Sequence, residues 1–436
     1  MREFMPQAPK PKQKPKTKNY RWIVFFVLAA GYFMVYFHRL CPAVVALDLM
    51  RDFKADGALI GLLASAYFYP YALMQIPSGL LSDSWGPRKT VTAFFVLAGV
   101  ASIVMGFAGS LETAIIARVA VGTGVAMFFV PAMKILTSWF SIAEFAAMTG
   151  LLMAMGGTGA LGAAAPLALV SEVIGWRGSF EIVGVLTLLV AGAIWVYVRD
   201  TPEEEGLPPA NPVMASIPGR KKISIGQGMK MVLSEPRFWP LPVWFFCSCG
   251  VFFSYGGLWG GPYLMQVYGL TKGEAGSVLS MLAVSLIIGS PLVSVISDKW
   301  LKSRKKTIIG CAVMLLVLLL PPTLAPESMS VPMLYVWTLL FGFASGASVI
   351  VGFAAVKELF PLEIAGTAVG IGNFFPFFGA AIMQPLAGLI LDSRPKGPAG
   401  YTPEAYGLVF AFFLVAAALA LGAAFFVKET YGRQGA

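Results

Sequence analysis

A chain of 436 residues that is 57% hydrophobic and 12% charged, with a mean hydropathy of +0.76, is too apolar for the two or three soluble domains its length allows. Its 47 Gly and 30 Pro stand in that apolar background, as in spanning helices, which excludes collagen and disorder. The net charge of +10 comes from 32 Lys and Arg placed mostly between apolar runs, so it speaks for membrane orientation and against a nucleic-acid binder, a soluble enzyme or a secreted disulfide scaffold.

Residues 1–21, MREFMPQAPKPKQKPKTKNYR, are rich in Pro and Lys and lack the apolar core of a cleavable signal peptide; a disordered basic cytoplasmic tail is expected. A helix needs ~20 apolar residues to cross a hydrocarbon core ~30 Å thick. Twelve runs qualify, at about 22–46, 58–81, 90–109, 112–139, 143–170, 177–198, 238–266, 273–297, 306–325, 332–359, 364–391 and 404–427. The fold class expected is therefore an all-α integral membrane protein of twelve transmembrane helices in two pseudo-symmetric six-helix bundles. The N-terminal bundle spans 22–199 and the C-terminal bundle 237–428. Between them, 200–236 is a polar, Pro-rich cytoplasmic linker with a short surface helix at 225–233, and 429–436 is a cytoplasmic C-terminus. With the N-terminus inside, 22 Lys and Arg fall on the inner side and 6 on the outer, which places both termini in the cytoplasm of a plasma (inner) membrane protein.

The halves echo each other. A shift of 215 residues superposes Leu49-Met50 on Leu264-Met265, Gly61 on Gly276 and Asp83 on Asp298; a shift of 219 superposes Glu144 on Glu363, Pro166 on Pro385 and Leu167 on Leu386. Parallel halves related by an axis along the membrane normal enclose a central cavity that rocking exposes to either side, which predicts a transporter.

Four basic residues lie within spans, where a charge costs ~2.5 to 3.5 kcal/mol on insertion scales and normally serves a cavity. Arg39 shares a helix face with Tyr32 and Tyr36 at i, i+4 and i+7, so a guanidinium flanked by phenols offers itself to an oxyanion. Lys134 is the candidate second cation, while Lys357, beside Glu358, suits snorkelling to the headgroups. Tyr255 and Asn373 are candidate substrate contacts, and Tyr67, Tyr71, Gln75, Trp259 and Gln384 further cavity-lining groups. His38, the one histidine, titrates in the range of a proton carrier but points about 100° away from Arg39, where a packed imidazole is the simpler expectation. His38, Arg118 and Lys357 are the candidates for coupling. Cys41, Cys247, Cys249 and Cys311 all lie in apolar segments, so no metal site and no cofactor is expected. No Ser/His/Asp set or nucleotide loop points to an enzyme.

After the second run, residues 79–89 read GLLSDSWGPRK, with Asp83 among Arg88 and Lys89 beyond a turn glycine, a cluster able to latch one face. The spacing G-x-x-x-D-x-x-G-x-R-K resembles the loop after helix two of the major facilitator superfamily. A degraded copy at 294–305 contains Asp298, Arg304 and Lys305. RVAVGTG with Arg118 and Gly122, GWRGSF at 175–180 and DTPEEEG at 200–206 are also similar to that family. The resemblance implies the twelve-helix fold, alternating access, and a gating role for Asp83, Arg88 and Lys89, repeated by Asp298 and Arg304. VYFHR at 35–39 is similar to helix one of the organophosphate/phosphate antiporter and anion:cation symporter branches, where an Arg at that place binds the substrate anion. The second basic residue that the organophosphate branch has in helix seven is replaced here by Ser254.

The expectation is a monomeric secondary transporter of a small organic anion, a carboxylate before a phosphate ester, working by proton symport or anion exchange. Its partners are that solute, protons as a candidate coupling ion, and the bilayer, not nucleic acid. Drug or siderophore efflux is the second reading, weakened because 150–166 lacks the Gly-Pro motif of proton-driven exporters; a transporter-like receptor without flux is the third.

Overall fold

The computed structural model describes residues 16–208, 210 and 225–432. Within them the chain is helical throughout, and the β pairing is confined to an isolated bridge between Gly397 and Gly400. Ten helices are long and apolar enough to cross a membrane, and the bent pair Gly57–Leu73 and Pro77–Ser84 makes an eleventh span. One of the ten, Ala147–Tyr197, has 51 residues and would run ~76 Å as a straight helix, more than twice a ~30 Å core. It turns back at Gly175, whose φ of 74° no L side chain adopts freely, and so supplies two crossings, twelve in all.

Two sequence boundaries move. The first helix, Lys16–Leu40, begins inside the segment assigned to a disordered tail. Its start is held to the rest of the bundle: Tyr20 stacks on Trp139 at 5.4 Å, and Arg21 pairs with Glu144 at 3.0 Å. Residues 1–15 of the expected tail and 211–224 of the expected linker lie outside the described residues. The expected first span also divides, ending at Leu40 and resuming as Pro42–Phe53, where Pro42 at the helix start has no N–H to leave unsatisfied. The second span breaks between Leu73 and Gln75 and bends by 56°, next to Pro70 and Pro77, which cannot donate to the helical ladder.

The two halves meet across a central seam, closed on the face away from the termini. There the Asp392 carboxylate, at the end of Leu362–Asp392, accepts the amides of Gly57 and Ala58 at 2.9 and 2.7 Å, the first N–H groups of the helix Gly57–Ser65. Lys272 pairs with Asp48, and the Gly273 amide donates to Glu172 at 3.2 Å. Small residues bring the backbones together: a Cβ on Gly61 would meet Pro385 Cα at 2.5 Å, and one on Gly261 would meet the Ala43 carbonyl. Among the described residues, the hydrogen bond joining the halves nearest the terminus-bearing face is Asn373 Nδ2 to Gln75 Oε1, 2.8 Å.

Candidate functional site

Arg39 sits two residues before the break at Cys41, facing the seam, and is 3% exposed. Its guanidinium carbon lies 4.4 Å from the Tyr36 ring centre, 4.8 Å from Tyr71, 4.8 Å from Phe377 and 5.6 Å from Phe253. Tyr36 and Tyr71 come from the N-terminal half and the two phenylalanines from the C-terminal half, so both bundles build the cage. Phe68 completes it, tilted against Phe253 at 5.3 Å and stacked on Phe377 at 6.4 Å. The Tyr67 and Tyr71 hydroxyls lie within electrostatic reach of the guanidinium. Tyr32 extends the wall by one turn, edge-on to Tyr36 at 5.3 Å, with its hydroxyl 3.5 Å from Met153 Sδ.

What the cage lacks is an anion. None of the ion pairs among the described residues involves Arg39, no Asp or Glu there is fully buried, and Arg39 Nε has no hydrogen-bond partner. Ring faces attract a guanidinium by ~0.5 to 2 kcal/mol, against a penalty of several kcal/mol for a buried ion. The charge is therefore held in place and left unneutralised, which is the electrostatic condition for taking up an external anion. Amides flank it: Gln75 Nε2 donates to the Tyr71 carbonyl at 3.1 Å while its Oε1 accepts from Asn373 Nδ2, and Gln384 Nε2 donates to the Phe253 carbonyl at 3.0 Å.

The structure separates the sequence candidates. Lys134 does not join Arg39: its ammonium meets Asp83 Oδ1 at 2.7 Å and the Ser82 carbonyl at 3.1 Å, so a carboxylate already holds the expected second cation. Asp83 accordingly pairs with Lys134 and not with Arg88 or Lys89. Arg88 covers the Trp195 ring at 4.4 Å, its amide donates to Asp200 at 2.7 Å, and Lys89 is exposed. The repeat copy is tied together more tightly: Arg304 bridges Asp298 and Glu358, the latter at 2.8 Å, and Glu429 accepts the Arg304 amide at 2.9 Å. Each cluster fastens helices within one half. Lys357 points outward, exposed.

Tyr255 is also misplaced by the sequence reading. It lies inside the C-terminal bundle against Trp337 and Phe341 at 5.3 and 5.1 Å, away from Arg39. A π-helical turn at Tyr255–Trp259 inserts a residue into the helical repeat, and an extra residue rotates the side chains beyond it by about 100°. His38 packs as a buried imidazole, Nε2 2.9 Å from Thr187 Oγ1. Arg118, 1% exposed, donates to the His38 carbonyl at 3.1 Å and lies over the far ring of Tyr67 at 5.1 Å, behind the cage. Among the described residues no group of three or more His, Cys, Asp or Glu is arranged to hold a metal.

The sequence family model of the Major Facilitator Superfamily matches residues 22–320 and 258–435, which together take in nearly the whole chain. The chain belongs to the major facilitator superfamily. Among curated relatives, it is 29% identical over 195 residues to the probable sulfoacetate transporter SauU of Cupriavidus necator, an alignment covering 44% of each chain. It is 24% identical over 84% of each chain to a probable hexose phosphate transport protein of Chlamydia trachomatis. It is 26% identical to the membrane sensor protein UhpC of Salmonella typhimurium, over 85% of this chain and 86% of the other. Among solved structures, a bacterial homolog of the human lysosomal transporter Spinster, inward-facing and unoccupied, superposes with a TM-score of 0.75 over 95% of this chain and 98% of that one, at 18% identity.

The Arg39 cage lies where the two halves meet. Phe253 and Phe377 were not singled out by sequence, because a phenylalanine in an apolar helix looks like packing. Asp392 escaped as well: an acid at a helix end reads as a solvated terminus until its partner amides, more than 300 residues away, are in view.

Proposed function

We infer that this superfamily member carries a small organic anion across the plasma (inner) membrane by alternating access, with both termini cytoplasmic and Arg39 as the anion's counterion. The observation that carries the reading is a buried guanidinium, shared between the two halves, without a protein anion. A carboxylate suits it better than a phosphate ester, because Lys134 is already engaged by Asp83 and Ser254 stands where a second cation would help a dianion. The names of the sulfoacetate and hexose phosphate transporters, both of anionic solutes, support the charge class. With the termini inside, the closed face is the outer one.

Exchange against a second anion fits the site better than proton symport. His38 is engaged by Thr187 inside the N-terminal bundle, and among the described residues no carboxylate pairs with Arg39 to trade a proton. Purified protein in proteoliposomes tests this directly. Saturable anion uptake is expected to respond to preloaded anion and not to an imposed pH gradient, and uptake driven by the gradient alone overturns the exchange mechanism. Arg39→Ala is expected to weaken anion binding about 10- to 150-fold, the value of a charge-assisted hydrogen bond of ~1.5 to 3 kcal/mol. Binding indifferent to that substitution overturns the reading. The likeness to a membrane sensor favours one alternative, a receptor, which would show Arg39-dependent binding without flux.

A further inference from the structure

We propose that Phe253 and Phe377 make this site selective for monoanions with a flat, apolar body, aryl carboxylates and aryl sulfonates above all, over polyhydroxylated or dianionic solutes. The inference rests on the anion reading of Arg39 and adds the chemistry of the part of the solute that does not touch it.

The first argument is charge count. Among the described residues, one guanidinium, that of Arg39, faces the seam without a protein anion. The other unpaired buried arginine, Arg118, is held by the His38 carbonyl behind the Tyr67 ring, and Lys134 is paired. A second negative charge on the solute would be desolvated with no cation to meet it.

The second argument is the surface around that charge. Phe377 lies 4.3 Å from the Tyr71 ring centre and 5.9 Å from Phe253, and Phe68 faces both phenylalanines. Three of these four rings are phenylalanine, and the seam between halves runs through them. When the halves part, the Phe68–Phe253, Phe68–Phe377 and Tyr71–Phe377 contacts separate and leave flat apolar faces on both sides of Arg39. An aryl body restores ring contacts to both halves at once, at the centroid spacing of ~4.5 to 7 Å that such pairs prefer. A polyol must strip its hydroxyls of water against those faces. The nearby amides offset little of that cost: Gln75 and Asn373 bond each other, Gln384 Nε2 bonds the Phe253 carbonyl, and the buried Gln384 Oε1, which has no partner, offers a single acceptor to a polyol's several hydroxyls.

Equilibrium binding of benzoate, benzenesulfonate, gluconate and glucose 6-phosphate to the purified full-length protein tests the proposal, in wild type and in Phe377→Ala, Phe253→Ala, Phe377→Leu and Arg39→Ala. Wild type is expected to bind benzoate and benzenesulfonate at least tenfold more tightly than the other two. Phe377→Ala and Phe253→Ala are expected to remove most of that preference, and Phe377→Leu, which keeps the bulk and loses the ring, part of it should the alanine variants misfold. Tighter binding of gluconate or glucose 6-phosphate, no binding of either aryl anion, or equal weakening of all four anions in the ring variants overturns the proposal. Arg39→Ala separates it from the underlying reading. If gluconate or glucose 6-phosphate binds more tightly than the aryl anions and Arg39→Ala abolishes that binding, the anion site stands and the aryl selectivity falls; if aryl anions bind undiminished in Arg39→Ala, the anion site falls.

Discussion

Arg39 is stabilised by orientation, not by neutralisation. Tyr36 and Tyr71 hold the guanidinium from one half, while Phe253 and Phe377 cover it from the other. Arg39→Lys tests whether shape matters as well as charge. A lysine keeps the charge on a compact ammonium but loses the planar fork that binds an oxyanion through two parallel bonds. The expected result is a KM raised about tenfold with the transporter still assembled, read from uptake kinetics and thermal unfolding together. The tyrosine spacing around Arg39 was legible in sequence because three residues of one helix share a face whatever surrounds them. The fate of Lys134 was not, since its partner Asp83 belongs to another helix. Lys134→Ala is accordingly expected to leave anion affinity within about twofold and to change the rate of conformational exchange, because an exposed pair is worth ~0 to 1 kcal/mol. A loss of affinity equal to that of Arg39→Ala would return Lys134 to the substrate site.

At the scale of elements, irregular turns decide which side chains reach the seam. The described C-terminal spans contain π-helical turns at Tyr255–Trp259, Ser285–Gly289, Ile296–Trp300 and Phe343–Ala347. Each rotates the side chains downstream of it, so a periodicity of 3.6 carried past Tyr255 points at the wrong neighbours. Tyr255 instead closes an aromatic cluster within its own bundle, and its hydroxyl lies near Thr338 without completing a hydrogen bond. Tyr255→Phe is expected to change stability by less than ~1 kcal/mol and KM not at all, measured by thermal unfolding and uptake, since it deletes an unpaired hydroxyl and keeps the ring. The helix Gly57–Ser65 supplies the other element of consequence. Its first two amides are capped from the opposite half by Asp392, so a carboxylate at a helix N-terminus fastens the closed face. Asp392→Asn removes the charge while keeping the size. A loss of ~1 to 2 kcal/mol would shift the balance between closed and open outer faces about 5- to 30-fold, read as faster labelling of a cysteine placed in the seam.

For the molecule as a whole, the two bundles meet along a seam that is polar at its far end and aromatic at its middle, with Asn373–Gln75 the hydrogen bond nearest the termini among the described residues. Close backbone approach at Gly61 belongs to this scale. A side chain there collides with Pro385 and the Gln384 carbonyl, so Gly61→Leu is expected to hold the halves apart on the far face and to favour the opposite conformation, visible as increased cysteine labelling from that side. The sequence by itself determined that the chain lives in a bilayer, crosses it as helices and repeats its plan, because the cost of burying a backbone or a charge in hydrocarbon is local and is written in composition and spacing. It also marked Arg39. Tertiary structure alone decided which charges remain unpaired, which rings surround Arg39, and which carboxylate locks the halves. Those outcomes depend on contacts between helices hundreds of residues apart and on single extra residues in a turn, neither of which a one-dimensional pattern encodes.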